Sequence, residues 1–260
     1  MKLTAFLGVV ALAGATLHAA ANPADDVKAA AKKLAGQSYS WKSTTEMAGG
    51  PGGGGGGGGQ WRPGPTEGRT AADGTTHVTM TRGDNTFEAV LKGSKVALKT
   101  PEGWQVPPEP GAGRQGGGPG AGAGGGAAMV GRTLATLRPP AAEIEDLLGK
   151  VKEVRKTEAG YVADLTEAGA KDLLTRGGRG GRAGGGPGGG ALPEPQDAKG
   201  TVKVWLKDGQ VAKYELNVQG RMTMGQQGRD VEINRTTTVD ISNIGSTKVE
   251  VPEDAKKIVG

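Results

Sequence analysis

The sequence predicts helices that interrupt an otherwise antiparallel sheet of roughly ten short strands, an α+β arrangement or a partly open barrel. Three observations lead there. Short runs rich in β-branched and aromatic residues are separated by turn chemistry. One segment, TVKVWLKDGQVAKYELNVQG, reads as two alternating strands about an Asp-Gly turn. Segments with apolar residues at helical spacing fall between groups of strands instead of alternating with them.

Taken in order, the first element is a helix. Asn22 can cap it, Pro23 suits the first turn, and Asp25 and Asp26 oppose the helix dipole. Val27, Ala30, Ala31 and Leu34 then share one face, and Gly36 stops the helix. The run from Ser38 to Thr45 is a strand. From Thr75 onward, strands are predicted at Thr76–Thr81, Thr86–Leu91, Lys95–Lys99 and Trp104–Val106, divided by Gly83-Asp84-Asn85, Lys92-Gly93-Ser94 and Pro101-Glu102-Gly103. This is a meander. Pro139 and Pro140 open a second helix that turns Ile144, Leu147 and Leu148 inward.

Two strands, Val151–Thr157 and Tyr161–Leu165, precede a helix over Glu167–Leu174. In the hairpin that follows, Val202, Val204 and Leu206 alternate with Lys203, Trp205 and Lys207. After Asp208-Gly209, Ala212, Tyr214, Leu216 and Val218 return on one face. A further pair, Arg221–Met224 and Arg229–Ile241, turns near Gly225–Gly228. A strand at Thr247–Val251 and a helix-like VPEDAKKIVG end the chain.

Three glycine tracts, 48–60, 111–126 and 177–190, hold 30 of the 50 glycines and almost nothing that can be buried. Glycine loses the most backbone entropy on ordering and brings no side chain to a core, so these tracts are expected to be flexible, disordered loops. What remains of residues 22–260 is long enough for a single domain with a real core.

The first residues, MKLTAFLGVVALAGATLHAAA, combine a basic start, an apolar run and a small-residue exit. They read as a signal peptide over residues 1–21. The expected product is exported, periplasmic or otherwise secreted, and monomeric. There is no cysteine, which excludes disulfides, thiolate metal sites, cysteine nucleophiles and lipid attachment at cysteine. The formal charge is +5, with acids and bases interspersed, a balance that does not single out nucleic acid or anionic membrane.

The segment RGGRGGRAGGGPGGG raises RNA binding directly. It offers Arg176, Arg179 and Arg182 but no aromatic face for a base to stack on. The second tract adds one arginine, Arg114, and the first carries no charge at all. No nucleic-acid partner is expected.

Catalytic patterns are weak as well. His77 is the one histidine beyond the signal peptide, so no two-histidine metal site can form. The carboxylate pairs Asp25/Asp26, Glu143/Asp146 and Glu253/Asp254 each fall in the first turns of a helix, where acids offset the dipole. No glycine tract has the context of a phosphate-binding loop. The sequence predicts neither an enzyme nor a metal or cofactor. Trp41, Trp61, Trp104 and Trp205, with Tyr39, Tyr161 and Tyr214, sit on or beside strands, where they either pack a core or line an apolar cavity.

The order of elements and several phrases resemble the bacterial lipoprotein-carrier superfamily, LolA-like in the broad sense. The phrases are the first helix followed by YSW, GDNTFEAVLKGSKVALKTPEGW, LTEAGAKDLL, VWLKDGQVAKYELNVQG and TTTVDISNIGSTKVEVPEDAKKIV. That resemblance implies a curved antiparallel half-barrel, helices over its concave face, and an apolar cavity able to take acyl chains. On that basis the expected function is non-catalytic binding of an apolar or lipid-like ligand. The expected cavity residues are Trp41, Phe87, Leu91, Ile144, Leu147, Leu148, Trp205, Tyr214 and Leu216. The alternative is a cell-envelope structural or protein-interaction protein, with a fully packed interior and envelope proteins as partners.

Overall fold

The computed structural model describes residues 22–48, 64–83, 85–107, 130–131, 133–134, 136–177, 194–224 and 229–260. The segment read as a signal peptide and the turn at Gly225–Gly228 lie outside them. So do the glycine tracts, apart from Ala48 and Gly177.

Helix α1 (Pro23–Ala35) forms as its sequence dictates. The Asn22 side chain accepts from the Ala24 N–H at 3.1 Å, Pro23 needs no donor partner in the first turn, and Lys32 and Lys33 sit at the negative end. Val27, Ala30, Ala31 and Leu34 are buried on one side. After Gly36 come β1 (Tyr39–Ala48), β2 (Thr66–Thr70), β3 (Thr76–Arg82), β4 (Asn85–Lys92), β5 (Lys95–Thr100) and β6 (Gly103–Gln105). Helix α2 (Pro140–Leu148) leads to β7 (Val151–Thr157) and β8 (Gly160–Leu165). Helix α3 (Glu167–Gly177) then precedes β9 (Gln196–Lys207), β10 (Gln210–Met224) and β11 (Arg229–Ser242). Helix α4 (Glu253–Val259) ends the chain.

All eleven strands form one open antiparallel sheet in the order β6-β5-β4-β3-β2-β1-β11-β10-β9-β8-β7. Two local meanders, β1–β6 and β7–β11, meet where β1 pairs with β11, with Trp41 opposite Ile241. The β9–β10 hairpin turns at Asp208 (φ 53°) and Gly209 (φ 68°), the left-handed pair that a two-residue turn between twisted strands requires. Strand β10 is bulged between Val211 and Lys213, and β9 is bulged between Gln196 and Lys199, opposite Gln219 and Arg221.

Alternate strand residues feed one large core cluster. Val78 and Met80 of β3, Ala89 and Leu91 of β4, Val202 and Val204 of β9, and Tyr214, Leu216 and Val218 of β10 all belong to it. Helices α1, α2 and α3 add Val27, Leu34, Ile144, Leu147, Ala170 and Leu174 to the same cluster, as do Val130 and Leu134 from helical backbone ahead of α2. The intervening residues Val90 and Ala97 point to the other face of the sheet. There a smaller cluster forms with Ala255 and Val259 of α4, and Trp104, Val251 and Ile258 pack against it. Strands β4 and β5 are therefore covered on both faces, which is why each reads as a short continuous apolar run instead of an alternation.

The sequence reading needs three corrections here. Strand β2 was not anticipated, and Thr247–Val251 is not a strand. Thr247 is instead held in a turn, its N–H and its hydroxyl both bonding the Asn243 carbonyl, at 3.1 and 2.9 Å. The segments Arg221–Met224 and Tyr214–Val218, read as separate strands, form one continuous β10.

Candidate functional site

Eight of the nine residues expected to line a cavity share the large core cluster: Trp41, Leu91, Ile144, Leu147, Tyr214 and Leu216 are buried in it, and Phe87 and Leu148 pack against it. Trp205 does not. It alternates with Val204 and faces the opposite side of the sheet, where the Lys213 ammonium lies 5.3 Å from its ring centroid.

Among the described residues, three of these side chains line a small apolar cavity. An apolar cavity of about 10 Å³ lies between α1, α2 and strands β7–β9. Ile144, Leu147 and Leu148 line it, together with Val27, Tyr161 and Val204, while Trp41, Phe87, Leu91, Tyr214 and Leu216 do not. That space holds about one water molecule, far less than the several hundred Å³ of an occupied small-molecule pocket. Directly outside it runs an open groove of about 610 Å³ between α1, the end of α2 and the start of β7. Cavity and groove share Leu148, Val151 and Val154. The groove is rimmed by both signs of charge: Lys28, Lys32 and Lys152 with Asp25, Glu145 and Glu153.

A polar cluster sits beside this seam, with Tyr214 and Tyr39 buried and Glu143 half-buried. The phenol of Tyr214, wholly buried on β10, donates to the Glu143 carboxylate in the first turn of α2. The Tyr39 phenol on β1, also buried, accepts from the Ala141 N–H at 3.5 Å. Burial pushes the Glu143 carboxyl above the usual range of a glutamate, and the Tyr214 hydrogen bond, Arg235 and Arg138 offset this only in part. Burial, reinforced by the Glu143 charge, holds Tyr214 well above the usual tyrosine value. Arg235 of β11 donates to the Leu173 carbonyl of α3 at 3.0 Å, and burial lowers its pKa. Glu143 looks in sequence like any dipole-offsetting acid; nothing within α2 reveals that its carboxylate meets β10.

On the opposite face, His77 lies 6.4 Å from Trp104 between ring centroids, and its Nε2 is buried with no hydrogen-bond partner. Desolvation lowers its pKa; Glu88 works against this, and Arg69 and Lys99 add to it. Among the described residues no group of three or more His, Asp or Glu side chains could hold a metal ion. No helix among them is long and apolar enough to cross a membrane.

No family model matches the chain, and neither does any curated protein. Among solved structures, the chain is similar to one concerned with lipid–protein interactions in lipovitellin, at 7% identity and a TM-score of 0.24. The match covers 83% of this chain and 26% of that one, so this chain spans about a quarter of the lipovitellin chain's length. A likeness of that size does not establish a shared fold.

Proposed function

We propose that the protein is an exported, non-catalytic binder of an apolar or lipid-like ligand, with a sheet curved around its helices in the manner of LolA-like carriers. The ligand enters at the seam between α1, α2 and β7. One observation carries this reading: an apolar cavity lined by Val27, Ile144 and Leu147 continues, through Leu148, Val151 and Val154, into a groove rimmed by charges. An amphiphile has the matching anatomy, a tail for the first and a polar head for the second. Because the cavity holds only about 10 Å³, a tail fits only when α1 or α2 moves away from the sheet.

The small size of the same cavity favours a second reading, an envelope interaction protein whose interior is simply packed. Native mass spectrometry of the exported protein, followed by titration of delipidated protein with palmitate, separates the two. The binder reading expects a lipid-sized mass adduct and saturable palmitate binding that is weakened by Val202→Phe, which fills the cavity. A protein that carries no adduct and does not take up palmitate is the packed one.

A further inference from the structure

The charges that rim the groove at the seam stand apart from one another. Asp25, Lys28 and Lys32 of α1, Glu145 of α2, and Lys152 and Glu153 of β7 all line it, and among the described residues none of the six forms an ion pair. Charges just beyond the groove behave otherwise: Asp146 meets Arg138 at 3.0 Å and Lys150 at 3.2 Å, and Arg155 meets Asp164 at 2.9 Å. On α1, Asp25, Lys28 and Lys32 share a face through their spacing of three and four residues. On β7, Lys152 and Glu153 would point to opposite faces of a regular strand. The register departs from that pattern. Val151 pairs with Leu165 and Val154 with Ala163, so β7 places two residues, Lys152 and Glu153, where β8 places one. This bulge re-aims the strand, and both side chains line the groove.

We propose that the groove is the head-group site for a glycerophospholipid carrying a phosphate and a primary ammonium, a phosphatidylethanolamine, whose tail takes the apolar cavity. The inference rests on the binding function proposed above and adds the chemistry of the head. Three ammonium groups and three carboxylates leave the groove without net charge. A purely anionic head meets three repelling acids there, and a purely cationic one meets three repelling lysines. A zwitterion satisfies both sets, its phosphate oxygens accepting from the lysines and its ammonium donating to the carboxylates. The kind of ammonium follows from the lining. Trimethylammonium groups are recognised by aromatic faces, and no aromatic ring is among the groove's described lining residues. Carboxylates suit an ammonium that can donate hydrogen bonds. The groove's volume of about 610 Å³ falls within the range of small-molecule sites, and Leu148, Val151 and Val154, which it shares with the cavity, form the step where head gives way to tail.

The full exported chain is titrated calorimetrically at low salt with dihexanoyl phosphatidylethanolamine, phosphatidylglycerol and phosphatidylcholine, each below its micelle concentration, and with free phosphoethanolamine. The ethanolamine lipid is expected to bind more tightly than either of the other two by on the order of tenfold, the size of a few surface ion pairs acting together. Glu145→Gln with Glu153→Gln should remove the margin over phosphatidylglycerol, and Lys28→Gln with Lys32→Gln should weaken both lipids. All four side chains are exposed, so these variants keep the fold. Equal affinity for the three lipids, or a margin over phosphatidylglycerol that survives loss of the two acids, overturns the head-group inference, while palmitate uptake leaves the binding function standing. Free phosphoethanolamine that binds as tightly as the lipid also overturns it, because the ligand is then a soluble zwitterion. A protein that takes up neither palmitate nor any of the three lipids refutes both readings.

Discussion

The indole of Trp41 lies across Gly68, its direct cross-strand partner between β1 and β2, and donates from Nε1 to the Thr70 hydroxyl at 3.2 Å. A Cβ on residue 68 would overlap the ring atoms Cε2, Cζ2 and Nε1. The glycine is thus the floor of the tryptophan's site, and Thr70, itself bonded to Thr76, fixes the ring's edge. Gly68→Ala forces the indole out of this position and is expected to cost about 1–3 kcal/mol, the usual range for overpacking a core. Urea unfolding followed by tryptophan fluorescence measures it, with a shifted native emission as the accompanying sign. A stability loss within about 0.5 kcal/mol, the range of an ordinary surface substitution, shows that the ring relaxes without cost.

The two faces of the β9–β10 hairpin make a sharper pair of predictions. Leu216 is buried in the main cluster, so Leu216→Ala is expected to destabilise by about 2–5 kcal/mol. Trp205, on the other face under Lys213, packs on no core, and Trp205→Ala should cost about 1 kcal/mol or less. Chemical denaturation of the two variants checks the order, which a cavity role for Trp205 would reverse.

His77 gives stability a pH dependence of definite sign. Its folded pKa lies below the usual 6.5, so the unfolded chain binds the proton more readily. The stability tied to neutral His77 is fully present above about 6.5 and is lost as the pH falls through that value toward the folded pKa. Thermal melts between pH 5 and pH 8 should show wild type falling on the acid side more steeply than His77→Gln. Parallel curves would show that the buried Nε2 carries no such weight. Glu143 acts in the opposite sense, since its raised pKa adds stability on acidification, so the comparison is made within the His77 pair and not against a flat line.

Helix α4, with Val251 just ahead of it, packs over Val90, Ala97 and Trp104. It is short, and it is tied at its end by the Lys95 ammonium to the Gly260 carbonyl at 2.5 Å. Val259→Ala, which removes two buried methyls and leaves a gap, is expected to cost about 2 kcal/mol. A chain stopped after Val251 should bind a hydrophobic dye while keeping its β-sheet circular dichroism. A truncated protein that binds no dye would mean that the patch is covered in some other way.

The sequence made most of the sheet legible because its hairpins are local. Asp208-Gly209 and the turns at Gly83 and Gly93 announce themselves through residues that tolerate left-handed backbone. Strand β2 hid because TEGRT has no apolar alternation; its buried positions are Gly68 and Thr70, which make sense only once Trp41 lies above them. The Thr247–Val251 run reads as a strand by composition, yet the Asn243 carbonyl captures Thr247 and bends it away. Trp205 was misassigned although its alternation with Val204 already placed it outward. Glu143 was beyond reach, because its burial is set by Tyr214 and Arg235, which are brought to it by the sheet and not by the helix.

The strand order has a consequence for how the molecule is made. The β1–β11 ladder, in the middle of the sheet, joins the first described strand to the last, while every other neighbouring pair is close in sequence except β1–β2 and β8–β9, each of which spans a glycine tract. Each meander can therefore assemble early from local contacts, but the halves can be sewn together only after residue 229 has been delivered. Until then β1 presents a bare edge that invites pairing with another chain. Holding the nascent chain unfolded until its synthesis is complete, as passage through a translocation channel does, would spare it that exposure. A permuted chain that links Gly260 to Asn22 and opens at a hairpin turn should fold faster than the natural order, because the slowest closure becomes a local one.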